Sequence, residues 1–98
     1  MARLVHKYSN RRLYDTHRGR AITLLELADV VLAGEEVRVE RRSTREDITT
    51  VTVLHALVER LNRHPDDALA RRVAERLFAT VTEARDSDAL EEAGVGAA

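Results

Sequence analysis

The 98-residue chain has no cysteine, no tryptophan, one proline and four glycines, and its aromatic residues are Tyr8, Tyr14 and Phe78 alone. Without cysteine there is no disulfide, no thiolate nucleophile and no cysteine-based zinc site. The first residues are polar and basic, with no apolar segment behind them, so no secretory signal is expected. No apolar run approaches the roughly 18 residues a membrane span needs. These absences point to a soluble cytoplasmic protein with no membrane partner. The length allows one compact domain and a short appendage. A chain this small buries only roughly 60 to 70% of its unfolded surface, so pairing with a second copy, a homodimer, is expected.

Charge of one sign is not in excess: 16 basic and 17 acidic residues give a net charge of -1. That balance argues against a uniformly basic nucleic-acid binder. The distribution is uneven, however. Residues 1 to 20 hold Arg3, Lys7, Arg11, Arg12, Arg18 and Arg20 against Asp15, while 21 to 62 and 63 to 98 are each acidic. Lys7 is the single lysine. Arginine suits bidentate contact with phosphate or guanine, although a general coding preference for arginine would produce the same excess.

Short extended pieces are expected at Leu4 to Tyr8, Leu13 to Thr16 and Ala21 to Thr23, separated by turn-forming Ser9-Asn10 and His17 to Arg20. Thr23 and Glu26 have capping-box spacing, so a first helix starts there. It carries Leu24, Leu27, Ala28, Val31 and Leu32 on one face, and Gly34 stops it. Val37-Arg38-Val39-Glu40-Arg41 alternates with the period of a half-buried strand. Ser43 to Glu46 reads as a turn. Asp47 is placed as the cap of a second helix from Ile48, with a buried stripe of Val51, Leu54, Leu57, Val58 and Leu61. Its β-branched start would also suit a strand, and the continued helical spacing decides for helix. Pro65 breaks this helix. Asp66-Asp67 caps a third helix carrying Leu69, Val73, Leu77, Phe78 and Val81, expected to end near Arg85. Residues 86 to 98 lack a core-forming period and are expected to be disordered. The predicted class is α+β: a small N-terminal β-hairpin element and one further strand, packed with three α-helices.

Candidate catalytic groups are sparse. His6, His17, His55 and His64 show no ligand-like spacing, so no metal site and no cofactor are expected. Asp66-Asp67 and Glu91-Glu92 are adjacent pairs whose carboxylates diverge. No phosphate-binding glycine loop or nucleophile motif is present. The chain is therefore not expected to be an enzyme.

The dense stretch is Lys7-Tyr8-Ser9-Asn10-Arg11-Arg12-Leu13-Tyr14-Asp15-Thr16. Its cations can neutralise phosphates, Asn10 can reach a base edge or phosphate, and the tyrosines can lie beside sugar. Alternatively Tyr8, Leu13 and Tyr14 belong to the core and Asp15 pairs with an arginine.

This stretch resembles the opening motif K-Y-P-N-R-R-L-Y-D-T of the DNA-binding domain of polyhydroxyalkanoate synthesis regulators. The resemblance continues through Ala21-Ile22-Thr23-Leu24, Gly34, Val37-Arg38-Val39 and Asp47-Ile48-Thr49, over about residues 4 to 61. Ser9 stands where that family has proline, and Ala21 where it has an aromatic. The resemblance implies a DNA-binding transcriptional regulator, a repressor, of polyhydroxyalkanoate-related or other metabolic genes. It implies duplex DNA as partner and Lys7, Asn10, Arg11 and Arg12 as contacts, with Tyr8 and Tyr14 either packing or touching phosphate. Arg18 and Arg20 complete the expected basic surface. A domain over 1–62 is then followed by a helix at 63–85, a candidate dimerisation element, and the tail at 86–98. Because the region after the motif is one helix and an acidic tail, granule binding is not expected. Two other functions fit the sequence: a protein-interaction module acting through the acidic C-terminal helix, and an RNA or single-strand binder stacking bases on the tyrosines.

Overall fold

The computed structural model describes the backbone of residues 2–97 and the side chains of residues 2–87. It has the expected α+β composition, with the strands gathered into one mixed sheet. Strands β1 (Arg3–Lys7), β2 (Leu13–Asp15) and β3 (Arg20–Ile22) form an antiparallel meander. Helix α1 (Leu24–Leu32) then crosses to β4 (Val37–Arg41), which pairs parallel to β1, giving the order β3-β2-β1-β4. Parallel neighbours need such a crossover, because a tight turn reverses the chain.

Helix α1 starts and stops where the sequence indicates. The Thr23 hydroxyl accepts the Glu26 N–H at 3.1 Å, and the Glu26 carboxylate accepts the Thr23 N–H at 3.1 Å. At its end the Gly34 N–H reaches the Val31 carbonyl and the Glu35 N–H reaches that of Val30, with Gly34 at φ +86°. This is a Schellman closure, and its left-handed residue favours glycine.

Side chains alternate across the sheet, so register assigns the faces. Val5, Asp15 and Val39 share a row, and so do Lys7, Leu13, Ile22 and Arg41, on the face that meets the helices. Val5, Leu13, Ile22 and Val39 join Leu27, Ala28, Ile48 and Ala56 in the core. The opposite face carries Leu4, His6, Tyr14, Ala21, Arg38 and Glu40, all half-buried or exposed.

Helix α2 (Thr49–Arg63) differs from expectation at two points. It starts one residue later. Asp47 is not its cap residue, and its carboxylate instead accepts the Thr49 N–H at 2.9 Å and the Thr49 hydroxyl at 2.6 Å. The buried stripe also differs: Thr52, Ala56 and Leu57 face inward, while Val51 and Val58 are 48% and 57% exposed and Leu54 is exposed as well. Small side chains on the inner face let the α2 backbone approach the sheet and α1, and the Thr52 hydroxyl is satisfied by the Ile48 carbonyl at 2.7 Å. Leu57 of the expected stripe is buried and Leu61 half-buried, while Val51, Leu54 and Val58 are left on the surface.

Helix α3 (Ala68–Ala97) continues past Arg85 and packs chiefly on α2. Ala70 is buried, Val73 is half-buried, and Leu69, Leu77, Phe78 and Val81 are exposed, Phe78 at 74%. Residues 86–97, expected to be disordered, continue α3 as helix, and the side chains of 88–98 lie outside the described residues.

Candidate nucleic-acid interface

The motif at residues 7 to 16 divides into a part that builds the fold and a part that is displayed. Leu13 is a core residue. Asp15 is fully buried and accepts the backbone N–H groups of His17 at 2.9 Å and Arg18 at 3.3 Å, with the Arg3 guanidinium at 3.5 Å and that of Arg18 at 3.7 Å. Thr16 ties β2 to β1 through the Leu4 carbonyl, hydroxyl to oxygen at 2.7 Å. A buried carboxylate with this many donors holds the second turn of the meander in place. Removing it leaves two amides without their acceptor and takes from Arg3 one of its two carboxylates, so Asp15→Ala is expected to lower stability by about 3 kcal/mol. Urea unfolding followed by circular dichroism checks this.

The displayed part is the β1–β2 loop. Tyr8 N–H donates to the Arg12 carbonyl at 2.9 Å, Arg11 N–H donates to the Tyr8 carbonyl at 3.0 Å, and the Asn10 side-chain oxygen accepts the Arg12 N–H at 3.1 Å. This is a three-residue hairpin loop, a turn followed by a left-handed residue. The left-handed residue is Arg11, at φ +67°, where glycine or asparagine is the usual occupant. Asn10 thus spends its acceptor on the loop, while Arg11 and Arg12 extend into solvent.

A second basic loop meets the first. Lys7 pairs with Arg41 in register, and the Arg42 N–H donates to the Lys7 carbonyl at 2.8 Å. The loop from 42 to 45 therefore leaves the same end of the sheet. It too is closed by a left-handed arginine: Arg45, φ +61°, donates its N–H to the Arg41 carbonyl at 2.7 Å. Among the described residues, Lys7, Arg11, Arg12, Arg42 and Arg45 have no carboxylate within ion-pair distance, and Arg41 has Glu46 at 3.8 Å. Arg42 and Arg45 were not among the sequence candidates. The cluster Arg41-Arg42-Ser43-Thr44-Arg45 was the available signal, but only the parallel β1–β4 pairing brings it beside the motif.

Arg18 and Arg20 do not join this group. Strand β2 is three residues long, so the next turn lies at the far end of the sheet, diagonally opposite the 42–45 loop. Arg20 is 2.7 Å from the Glu26 carboxylate, and Arg18 lies 3.7 Å from both Asp15 and Glu26. The hydrogen bond to Arg20, with help from the Thr23 amide, holds the Glu26 carboxyl below its ordinary range, and that bond raises the Arg20 guanidinium. Arg3 is likewise held by Asp15 and Glu35. Half of the N-terminal basic groups are thus matched by carboxylates.

The tyrosines are not core residues. Tyr8 is 40% exposed, and Tyr14 is half-buried on the outer sheet face. Their rings meet edge to face, with centroids 6.5 Å apart and planes at 87°.

No cluster of three metal-ligating side chains occurs among the described residues, and no helix there is long and apolar enough to cross a membrane. A profile of the PHB/PHA accumulation regulator DNA-binding domain matches residues 4–64. The chain belongs to this family. The family is a regulatory, DNA-binding one, and its match ends with α2, leaving the whole of α3 beyond it. An uncharacterised protein from Allochromatium vinosum is 42% identical over 57 residues, 58% of this chain and 37% of that protein. A protein described as lying in the phbA 5′ region of Thiocystis violacea is 37% identical over 57 residues, 58% of this chain and 41% of that protein. The aligned part thus spans less than half of these relatives. No solved structure matches the chain significantly. In this accumulation-regulator domain the family motif marks both the buried Asp15 anchor and the arginine-bearing loop.

Proposed function

We propose that this domain is a dimeric transcriptional repressor that holds duplex DNA through the end of its sheet where the two arginine loops converge. The observation that carries this reading is the group of Lys7, Arg11, Arg12, Arg42 and Arg45, four cations from two loops and one from the adjoining end of β1, with no carboxylate partner among the described residues. Unpaired cations on one surface neutralise phosphates and release counterions. Arg11 and Arg12, and Arg42 across from them, also have the forked geometry that reads guanine edges. In this reading Asn10 shapes the loop and offers its amide N–H groups to the DNA, Tyr8 flanks the contact, and Tyr14 supports Tyr8. Arg18 and Arg20 serve the fold through Glu26.

The partner copy is assigned to the bulky stripe of α2. Val51, Leu54 and Val58 recur at helical spacing on one exposed face, and α3 leaves Leu77, Phe78 and Val81 exposed as well. Apolar residues at this density favour a self-complementary interface. Two copies present two basic ends, which suits a site with two half-sites. The position of the Thiocystis relative beside phbA supports polymer-related genes as the regulated set. Blocking of a promoter by the bound dimer is the means, and the cytoplasm the place.

The edge-to-face tyrosines favour duplex over single-strand binding, since a perpendicular pair offers no continuous platform for successive bases. Competition among duplex DNA, single-stranded DNA and RNA at one salt concentration tests this. Duplex is expected to compete best, with log affinity falling against log salt at a slope of about -4 to -7 for five to eight neutralised phosphates. Preference for RNA or single strands, or a slope near zero, contradicts it.

A further inference from the structure

We infer that the hollow between the β1–β2 loop and α2 is an oxyanion seat that takes one phosphate group, held by Lys7, Arg11 and protonated His55. The proposal rests on the DNA-binding reading and names a residue outside the family motif. The hollow has a volume of about 280 Å³ and is lined by Lys7, Arg11, Leu13, Leu24, Thr52 and His55. Register turns Lys7 toward the helix side, in the row of Leu13 and Ile22. Thr52 and His55 lie three residues apart on α2, so both overlook the same space.

The polar chemistry of this hollow has one sign. No carboxylate lines it. The Thr52 hydroxyl proton is committed to the Ile48 carbonyl at 2.7 Å, which leaves a lysine, an arginine and an imidazole as the groups offered to a ligand. Lys7 and Arg11 have no ion-pair partner among the described residues. Leu13 and Leu24 form an apolar floor, where charge-assisted hydrogen bonds are screened less than in open water. Such a site selects an oxyanion with several acceptor oxygens, and a phosphate is the natural occupant.

His55 makes the seat sensitive to pH. Facing it across the hollow are Lys7 and Arg11, and α1 contributes only Leu24. On its own helix the nearest acidic residue one turn on, Glu59, is engaged by Arg63 at 3.1 Å. With only cations facing it and no carboxylate lining the hollow, a positively charged His55 ring is balanced best by a bound anion. Anion binding favours the protonated ring, so affinity rises as pH falls.

The phosphate could come from the DNA backbone or from a free phosphate compound, and two measurements separate these sources. Sulfate, whose charge is constant across this range, is titrated into the protein at pH 6 and constant ionic strength while the His55 ring is followed by NMR. A saturable shift that is lost in Arg11→Gly supports the seat, and a flat or non-saturating response overturns it. Duplex affinity is then compared at pH 6 and pH 8 for the parent and His55→Gln. A parent gain of roughly three- to tenfold at pH 6 that His55→Gln lacks assigns the seat to a DNA phosphate. Equal pH dependence in both proteins overturns that assignment. If the protein binds no duplex while sulfate still saturates, the gene-regulator reading falls and the seat stands as a site for a free phosphate. His55 is exposed on a helix, and glutamine suits that position, so the variant retains the fold.

Discussion

Replacing both Arg11 and Arg45 by glycine is expected to stabilise the fold while lowering its affinity for duplex DNA on the order of 10²- to 10³-fold near 0.1 M salt. Both residues sit at positive φ, +67° and +61°. A residue with a Cβ in that region carries a cost of roughly 1 to 2 kcal/mol that glycine avoids. Glycine loses more backbone entropy on folding, about 0.5 to 1 kcal/mol, so a net gain of a few tenths to 1 kcal/mol per site is expected. The opposite sign holds for DNA. Each variant chain loses two unpaired cations and a dimer loses four, so the salt slope should flatten by about 3 to 4. Thermal unfolding and filter binding on the same preparations read both effects. Most damaging substitutions lower stability and binding together, and this pair separates them. Arginine in a strained loop position is understandable where a ligand, not the fold, uses the side chain.

The second large effect concerns assembly. Val51→Asp combined with Val58→Asp is expected to convert the proposed dimer to monomer, with association weakened on the order of 10³-fold or more. Each valine is about half exposed in the single chain, so neither contributes much to the core. Across a two-fold axis each substitution is made twice, and burial of one valine contributes roughly 1.5 kcal/mol or more. A carboxylate left in that interface adds a desolvation penalty. Sedimentation equilibrium should show one species of half the parent mass with an unchanged far-ultraviolet circular dichroism spectrum. A parent already monomeric at micromolar concentration would reject the assignment of this face. Duplex affinity should fall with the dimer, since each monomer keeps only one basic end.

Local features of the fold were legible in the sequence. The Thr23 and Glu26 capping box, the Gly34 stop, and the alternating Val37 to Arg41 strand depend on residues within four or five positions of one another. Nonlocal features were not. The parallel pairing of β1 with β4 joins residues more than thirty positions apart, and no pattern in either strand specifies it. The inner face of α2 was misread for a related reason. Of the expected stripe Leu57 is buried and Leu61 half-buried, but Val51, Leu54 and Val58 face outward, whereas close approach to the sheet and α1 selects Thr52 and Ala56. The candidate site followed the same division. Sequence proximity brought Lys7 at the end of β1 together with Arg11 and Arg12 just after it, but contiguity alone grouped Arg18 and Arg20 with them. Distance along the chain concealed that Arg42 and Arg45 are the nearer companions.

The account rests on which arginines face DNA, and charge-neutral pairs at the two ends of the sheet test it most directly. Duplex affinity of Arg12→Gln with Arg42→Gln is compared with that of Arg18→Gln with Arg20→Gln, each measured well below its unfolding temperature. The first pair is expected to lose on the order of 10²-fold or more in affinity, because it removes two unpaired cations per chain. The second is expected to stay within about threefold of the parent, because its cations are already matched by Asp15 and Glu26. Equal losses in both pairs, or a larger loss in the second, contradict the account.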